Sequence, residues 1–201
     1  DIHLSTTEVL HVDMFLYAAG RCGSTSLLKC EKAGVQLGPR ETIIVDEKYQ
    51  TSTKNIYAVG DVIGFPALAS TSMDQGRVAI AHMYDTKDFD SVYKTIPYGI
   101  YTIPEVSMVG ETEQDAKAKG IEYCVGRAHH SNMVRGRIMG LKEGVLKIIF
   151  ERKTQKIIGV HIVGHLASEL IHYGVTLIEN QKTLGEVIAI VFNFPTLHEL
   201  Y

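Results

Sequence analysis

The sequence predicts two kinds of architecture in one chain: the tail of an α/β unit, followed by a separate α+β domain. Three observations predict this. Residues up to about Tyr84 interleave short apolar runs with one helical pattern; the polar stretch "DTKDFDSVYKT", Asp85 to Thr95, interrupts all patterning; and beyond Ile96 strands come first, with helices gathered at the end. The interruption reads as a linker.

Taken in order, Val9 to Ala19 ("VLHVDMFLYAA") is rich in β-formers and stops at Gly20, which predicts a short strand. Leu27 to Ala33 is weakly helical and ends at Gly34. Ile43 to Val45 predicts another strand, and Ile56 to Val59 predicts a buried one running into Gly60-Asp61. From Ala67 to about Tyr84, Leu68, Met73, Val78, Ile80 and Ala81 alternate with Gln75 and Arg77 as on a partly buried helix, despite the internal Gly76. In the second domain the pattern predicts strands near Tyr98–Thr102, Tyr123–His129, Val145–Glu151 and Ile157–Val163, with Arg152 to Lys156 as a hairpin loop. Helices are predicted over Glu113–Lys119, Ala167–Asn180 and Leu184 to about Val191, with a further one starting at Thr196.

Composition narrows the function classes. Of 201 residues, 45% are hydrophobic and 21% charged, which suits a packed globular chain, and a net charge of −3 offers no basic field for a nucleic acid partner. The longest apolar run, Val187 to Phe192, is far below the roughly 20 residues that span a bilayer, so no membrane partner is expected. Cys22, Cys30 and Cys124 form neither a C-x-x-C pair nor an even framework, which points to a reducing, cytoplasmic home. The first residues lack the basic start and apolar stretch of a signal peptide, and the chain is expected to be part of a longer polypeptide.

The chemistry concentrates in "NIYAVGDVIGFPALAS", Asn55 to Ser70. Open α/β sheets bind ligands beyond the carboxyl ends of their strands, and Gly60 there lets a ligand approach the backbone. Asp61 offers a carboxylate to sugar or polyol hydroxyls. The helix opening near Ala67 presents unpaired N–H groups and a partial positive charge. An isolated Gly-Asp could equally turn the chain, with Asp61 bonding its own backbone.

The longer series "TSTKNIYAVGDVIGFPALASTSMDQG" resembles the second FAD-binding motif of the two-dinucleotide flavoprotein reductases, the pyridine nucleotide-disulfide oxidoreductase family. The resemblance implies that Asp61 bonds the ribityl chain of FAD and that the backbone of Ala67, Leu68 and Ala69 faces the flavin pyrimidine. "VDMFLYAAGRCGST", turning at Gly20, resembles the passage from the NAD(P) domain back to the FAD domain. "IPYGIYTIPEVSMVGETEQDAKAKG" resembles the start of the dimerisation domain, with T-x-P-E-x-x-x-V-G at Thr102, Pro104, Glu105, Val109 and Gly110. The implied layout is the end of an NAD(P)-binding domain over 1–20, the C-terminal part of a Rossmann-like FAD-binding domain over 21–92, and an α+β dimerisation domain over 93–201 that forms a homodimer. The G-x-G-x-x-G that cradles the FAD pyrophosphate in this family does not occur in the chain, so the chain by itself is expected to be inactive.

"NFPTLHEL" bears on the activity. Disulfide-reducing members of the family carry H-P-T-x-x-E; here Pro195, Thr196 and Glu199 match, Phe194 stands at the histidine position, and a phenyl ring carries no proton. His198 is four residues away from that position. The resemblance therefore leans to members that pass hydride between NADPH and NAD+ through FAD alone, with FAD, NAD and NADP as cofactors or substrates and no assigned catalytic side chain. Dihydrolipoamide dehydrogenase or a related disulfide reductase is the alternative, and a non-catalytic dimerisation module is a third. His161 and His165 have metal-pair spacing but no nearby third ligand, so no metal is expected. His129, His130, Arg135 and Arg137 read as a solvated hairpin, and Cys124 as a buried apolar side chain. The surplus of apolar positions among Leu170, Ile171, Val175, Leu177, Ile178, Val187, Ile188 and Ile190 predicts that some face a second subunit.

Overall fold

The computed structural model describes residues 1–86, 88–92 and 94–201, and divides them into two compact units, 1–92 and 93–201. The mixed fold class read from the sequence holds, with its strands and helices distributed unequally between the two.

The first unit has little regular sheet. Strands β1 (Ile2–His3) and β2 (Val9–Leu10) form an antiparallel pair, and the expected strand running on to Ala19 is absent: residues 11–19 join no strand and are exposed, with Met14 91% and Leu16 86% accessible. β-propensity is largely a propensity to pack on neighbours, and no described neighbour covers these side chains. The expected strand Ile56–Val59 is likewise reduced to one bridge, Gln50↔Tyr57, flanked by hydrogen bonds from Thr51 N to Ile56 O (2.9 Å) and from Ala58 N to Tyr49 O (3.0 Å). Ile43 and Val45 also enter single bridges, to Leu37 and Thr51. Two 3-10 turns, Ser26–Leu28 and Cys30–Ala33, occupy the weakly helical stretch. The small core joins Cys30, Val35, Ile43 and Ala58, with Val45, Ile56, Val62 and Ile63 packed on it. Helix α1 (Ala69–Met83) buries Thr71, Gln75, Val78, Ala79 and Ala81.

The second unit is a five-stranded antiparallel sheet in the order β3-β4-β7-β6-β5, made of β3 (Tyr98–Ile100), β4 (Val106–Gly110), β5 (Tyr123–His129), β6 (Val145–Glu151) and β7 (Ile157–Val163). Alternation assigns each residue a face. Val109, Val160, Ile162, Leu146 and Ile148 point to one side and pack with Leu170, Ile171 and Leu177 of α4 (Ala167–Glu179), whose buried positions recur at helical spacing. Helices α2 (Glu113–Ala118) and α5 (Leu184–Ile188) each start with a capping box, at Thr112/Asp115 and Thr183/Glu186.

On the opposite face the pairing Met108↔His161↔Lys147↔Arg127 lays a row across four strands, with Glu113 of α2 receiving Lys147 Nζ at 2.9 Å and Arg127 Nη2 at 3.5 Å. Burial, reinforced by the Lys147 charge, lowers His161 to about 4 against the opposing pull of Glu113 and Asp115. His161 therefore sits neutral in the sheet at ordinary pH.

The 130–144 connection corrects a further expectation. His130 is 0% exposed rather than solvated, its ring lying between Gly144 and Gly164, where any Cβ would fall within 2.6 Å of ring atoms. Burial lowers its pKa, against backbone hydrogen bonding to Gly144 and His165. A short helix, α3 (Val134–Ile138), carries the exposed Arg135 and Arg137. Cys124 on β5 is only half-buried, because β5 is an edge strand.

Candidate functional site

A cavity of about 790 Å3 opens in the first unit between three segments: Arg21 to Ser24, Pro39 to Thr42, and Asp61 to Ala67. Its size is that of a small-molecule or cofactor site. The Gly60-Asp61 turn forms one wall. Gly60 has φ +81, and a Cβ there would approach Ser72 Oγ at 3.2 Å. Its amide donates to Oε1 of the buried Gln75 at 2.7 Å, which ties the turn to the body of α1 and leaves Asp61 directed outward. The 3-10 turn Gly60–Ile63 then returns the chain through Gly64 and Phe65 to α1.

Asp61 is exposed and meets Arg21 Nε at 3.8 Å, both side chains being largely solvated. Such a contact contributes at most about 1 kcal/mol, so a hydroxyl donor can replace it. Asp61 makes no Asx-type bond to its own backbone among the described residues; Gly64 N donates instead to the Asp61 carbonyl at 3.0 Å.

Helix α1 begins two residues beyond Ala67 of the cavity wall. Leu68, in extended conformation (φ −127°, ψ 139°), is its N-cap and gives no side-chain acceptor, while Thr71 and Ser72 hydroxyls turn back to the Leu68 carbonyl at 2.9 and 2.8 Å. The small residues Ala67 and Ala69 are exposed there. Amide donors and the positive end of a 15-residue helix thus begin, without a side-chain cap, two residues beyond Ala67 of the cavity wall that Asp61 also lines.

Gly60, Asp61, Ala67, Leu68 and Ala69 therefore lie within one turn of chain and its helix start. Gly20 (φ +86) stands on another segment, with Arg40 Nη1 3.2 Å from where its Cβ would be. The sequence reading passed over Arg21, Arg40 and Cys22, which line the same cavity. Only the neighbouring Gly20, where a strand is predicted to stop, gives a signal. Phe194, by contrast, is in the second unit and exposed, as are Ile188, Ile190 and Val191.

Among the described residues no group of three His, Cys, Asp or Glu side chains could hold a metal ion, and no helix is long and apolar enough to cross a membrane.

The chain matches the pyridine nucleotide-disulphide oxidoreductase dimerisation domain over residues 96–201 and the pyridine nucleotide-disulphide oxidoreductase domain over residues 1–76. Proteins described as soluble pyridine nucleotide transhydrogenase in Yersinia enterocolitica and Erwinia tasmaniensis are each 43% identical over 203 residues, covering 100% of this chain and 44% of their own length. Among solved structures, the HOCl-induced flavoprotein disulfide reductase RclA of Escherichia coli has a TM-score of 0.83 at 28% identity, over 90% of this chain and 42% of that one. LpdA of Mycobacterium tuberculosis has a TM-score of 0.79 at 28% identity, over 89% and 39%. The chain spans less than half the length of the curated relatives it matches.

Proposed function

Because the chain belongs to the pyridine nucleotide-disulphide oxidoreductase family, we propose that it serves an FAD-dependent oxidoreductase passing hydride between NADPH and NAD+, and that it supplies one wall of the flavin site. The observation that carries this reading is the pairing of an outward carboxylate, Asp61, with the side-chain-uncapped start of α1 on the edge of one cavity.

The residues fit a flavin. Gly60 keeps its position free of a side chain, the cavity volume suits a ring system with its polyol arm, and Ala67 and Ala69 leave room beside the open amides. When bound, FAD supplies the two-electron hydride chemistry. Asp61 would hold the flavin's ribityl hydroxyls by accepting their hydrogen bonds. The first amides of α1 would hold the pyrimidine edge, where their dipole would favour negative charge. Gln75 holds the Gly60 amide and thereby the angle of the turn. No proton-carrying side chain of this unit is needed for hydride transfer.

Phe194 supports a thiol-free reaction over disulfide reduction, since at that position it neither takes nor gives a proton. The exposed Ile188, Ile190, Val191 and Phe194 support a homodimer formed through the second unit. Three free cysteines suit a reducing cytoplasm. Stopped-flow absorbance on the protein at its full natural length tests the reading: NADPH should bleach the flavin and NAD+ restore it, with no disulfide added. Flavin that NADPH leaves oxidised would refute it.

A further inference from the structure

We propose that Arg40 is a phosphate-binding residue of this cavity, holding a phosphate of the dinucleotide seated there; the inference rests on the flavin-site reading above. Its backbone is fixed from several sides. Gly23 N donates to the Arg40 carbonyl at 2.8 Å, the buried Thr25 hydroxyl donates to the Glu41 carbonyl at 3.0 Å, and the Thr42 hydroxyl donates to the Pro39 carbonyl at 3.0 Å. Arg40 and Glu41 both take left-handed conformations, at φ +56 and +58, which costs a non-glycine residue stability and persists only because these bonds hold the turn.

The side chain is directed as well. Its guanidinium lies close over Gly20, with Nη1 3.2 Å from where a Cβ would stand, so the missing side chain at Gly20 leaves the guanidinium room on the cavity wall. Among the described residues no carboxylate lies within ion-pair reach of Arg40, whereas Arg21 already faces Asp61. Two guanidinium groups and one carboxylate leave the lining with surplus positive charge. A planar fork of N–H donors matches two phosphate oxygens at once. In a dinucleotide the polyol or ribose that meets Asp61 is joined directly to the pyrophosphate, so an anion follows within reach of the same wall.

The phosphate has two sources, FAD and the nicotinamide nucleotide, and one set of variants separates them. In the full-length protein, Arg40→Gln and Arg40→Lys are compared with wild type by equilibrium dialysis against FAD and by KM for NADPH, each at low and high salt. A rise of about tenfold in the FAD dissociation constant with KM unchanged supports the inference and assigns the flavin phosphate. A similar rise in KM with flavin retention unchanged supports it and assigns the nicotinamide nucleotide. In either case Arg40→Lys should recover part of the loss and Arg40→Gln should flatten the salt dependence, neither of which follows from a merely structural role. Both constants staying within about twofold of wild type, or a loss insensitive to salt, overturns the inference. Calorimetric titration with inorganic pyrophosphate keeps the two readings apart. Wild type that binds pyrophosphate but no flavin ends the flavin reading and sustains the Arg40 site; equal flavin and pyrophosphate binding by wild type and Arg40→Gln does the reverse.

Discussion

The carboxylate of Glu105 caps a helix that starts more than sixty residues later in the chain: Oε2 accepts Ser168 N at 3.0 Å and Ser168 Oγ at 2.6 Å. Leu166, the local N-cap of α4, has no side chain able to do this, and the two hydrogen bonds from Ser168 hold Glu105 below the usual carboxylate range. The glutamate of the T-x-P-E stretch is thus a long-range fastener between the start of β4 and the helix that covers the sheet.

Replacing Glu105 with Gln should lower the stability of the second unit by about 1 kcal/mol, a capping-scale loss moderated by solvent screening. Because the folded carboxyl is the more acidic one, this stabilisation is present above the ordinary carboxylate pKa and is lost as pH falls through the folded value. Thermal denaturation of wild type and Glu105→Gln at neutral pH and near pH 3 measures it; the gap between the two should narrow in acid.

His161 loses stability in the same direction, on acidification, but over a higher pH window. Its folded pKa of about 4 lies below the ordinary histidine value of 6.5, so the unfolded chain binds the additional proton between those pH values. Its contribution is intact above about pH 6.5, declines as pH falls toward 4, and levels off below. Urea unfolding at pH 7 and pH 5 should show the decline in wild type and less of it in His161→Phe. Lys147→Met should raise the His161 pKa, read by NMR titration of the imidazole, since it removes the nearest cation opposing protonation.

Asp61→Ala should weaken FAD binding about tenfold or more, the worth of one or two hydrogen bonds to a charged acceptor, with Asp61→Asn less affected because it keeps an acceptor oxygen. Gly60→Ala should lose flavin as well and cost about 1–2 kcal/mol of stability through its φ of +81. Flavin fluorescence after ultrafiltration and a melting curve on each variant check both. Unchanged flavin retention in Asp61→Ala would remove the ribityl role.

A charge at the exposed apolar C-terminal segment should disrupt self-association. Val191 is 95% exposed, so Val191→Asp has little packing to lose within its own chain. Light scattering coupled to size exclusion should report a dimer for wild type and a shift toward monomer for the variant. Identical masses would place the interface elsewhere.

Legibility followed pairing. Strands β5, β6 and β7 were readable to their end residues, because each is rich in β-formers and two of them flank a charged hairpin loop. Strand β4 was missed: Ser107 and Gly110 dilute its apolar pattern, although its register puts Ser107 at 1% exposure opposite Ile162. In the first unit, β-rich runs such as residues 12–19 gave false strands, since a ladder depends on a neighbour that local sequence does not reveal. The Gly60-Asp61 turn and the helix after it were legible because a glycine turn and helical apolar spacing are local patterns. Arg40 was not, as its position depends on a clamp from Gly23 and Thr25 and on space left by Gly20. His130 misled for a similar reason: a histidine doublet before Ser-Asn looks like loop, while two distant glycines build its cage.

The bare run Met14 to Tyr17 has a practical side. An exposed segment with bulky side chains and no ladder to protect it is open to a protease cleft, and chymotrypsin-like enzymes favour residues of this kind. Brief digestion should nick the chain here first and spare the sheet of residues 98–163, and anything that covers the run should be visible as lengthened survival of the intact band.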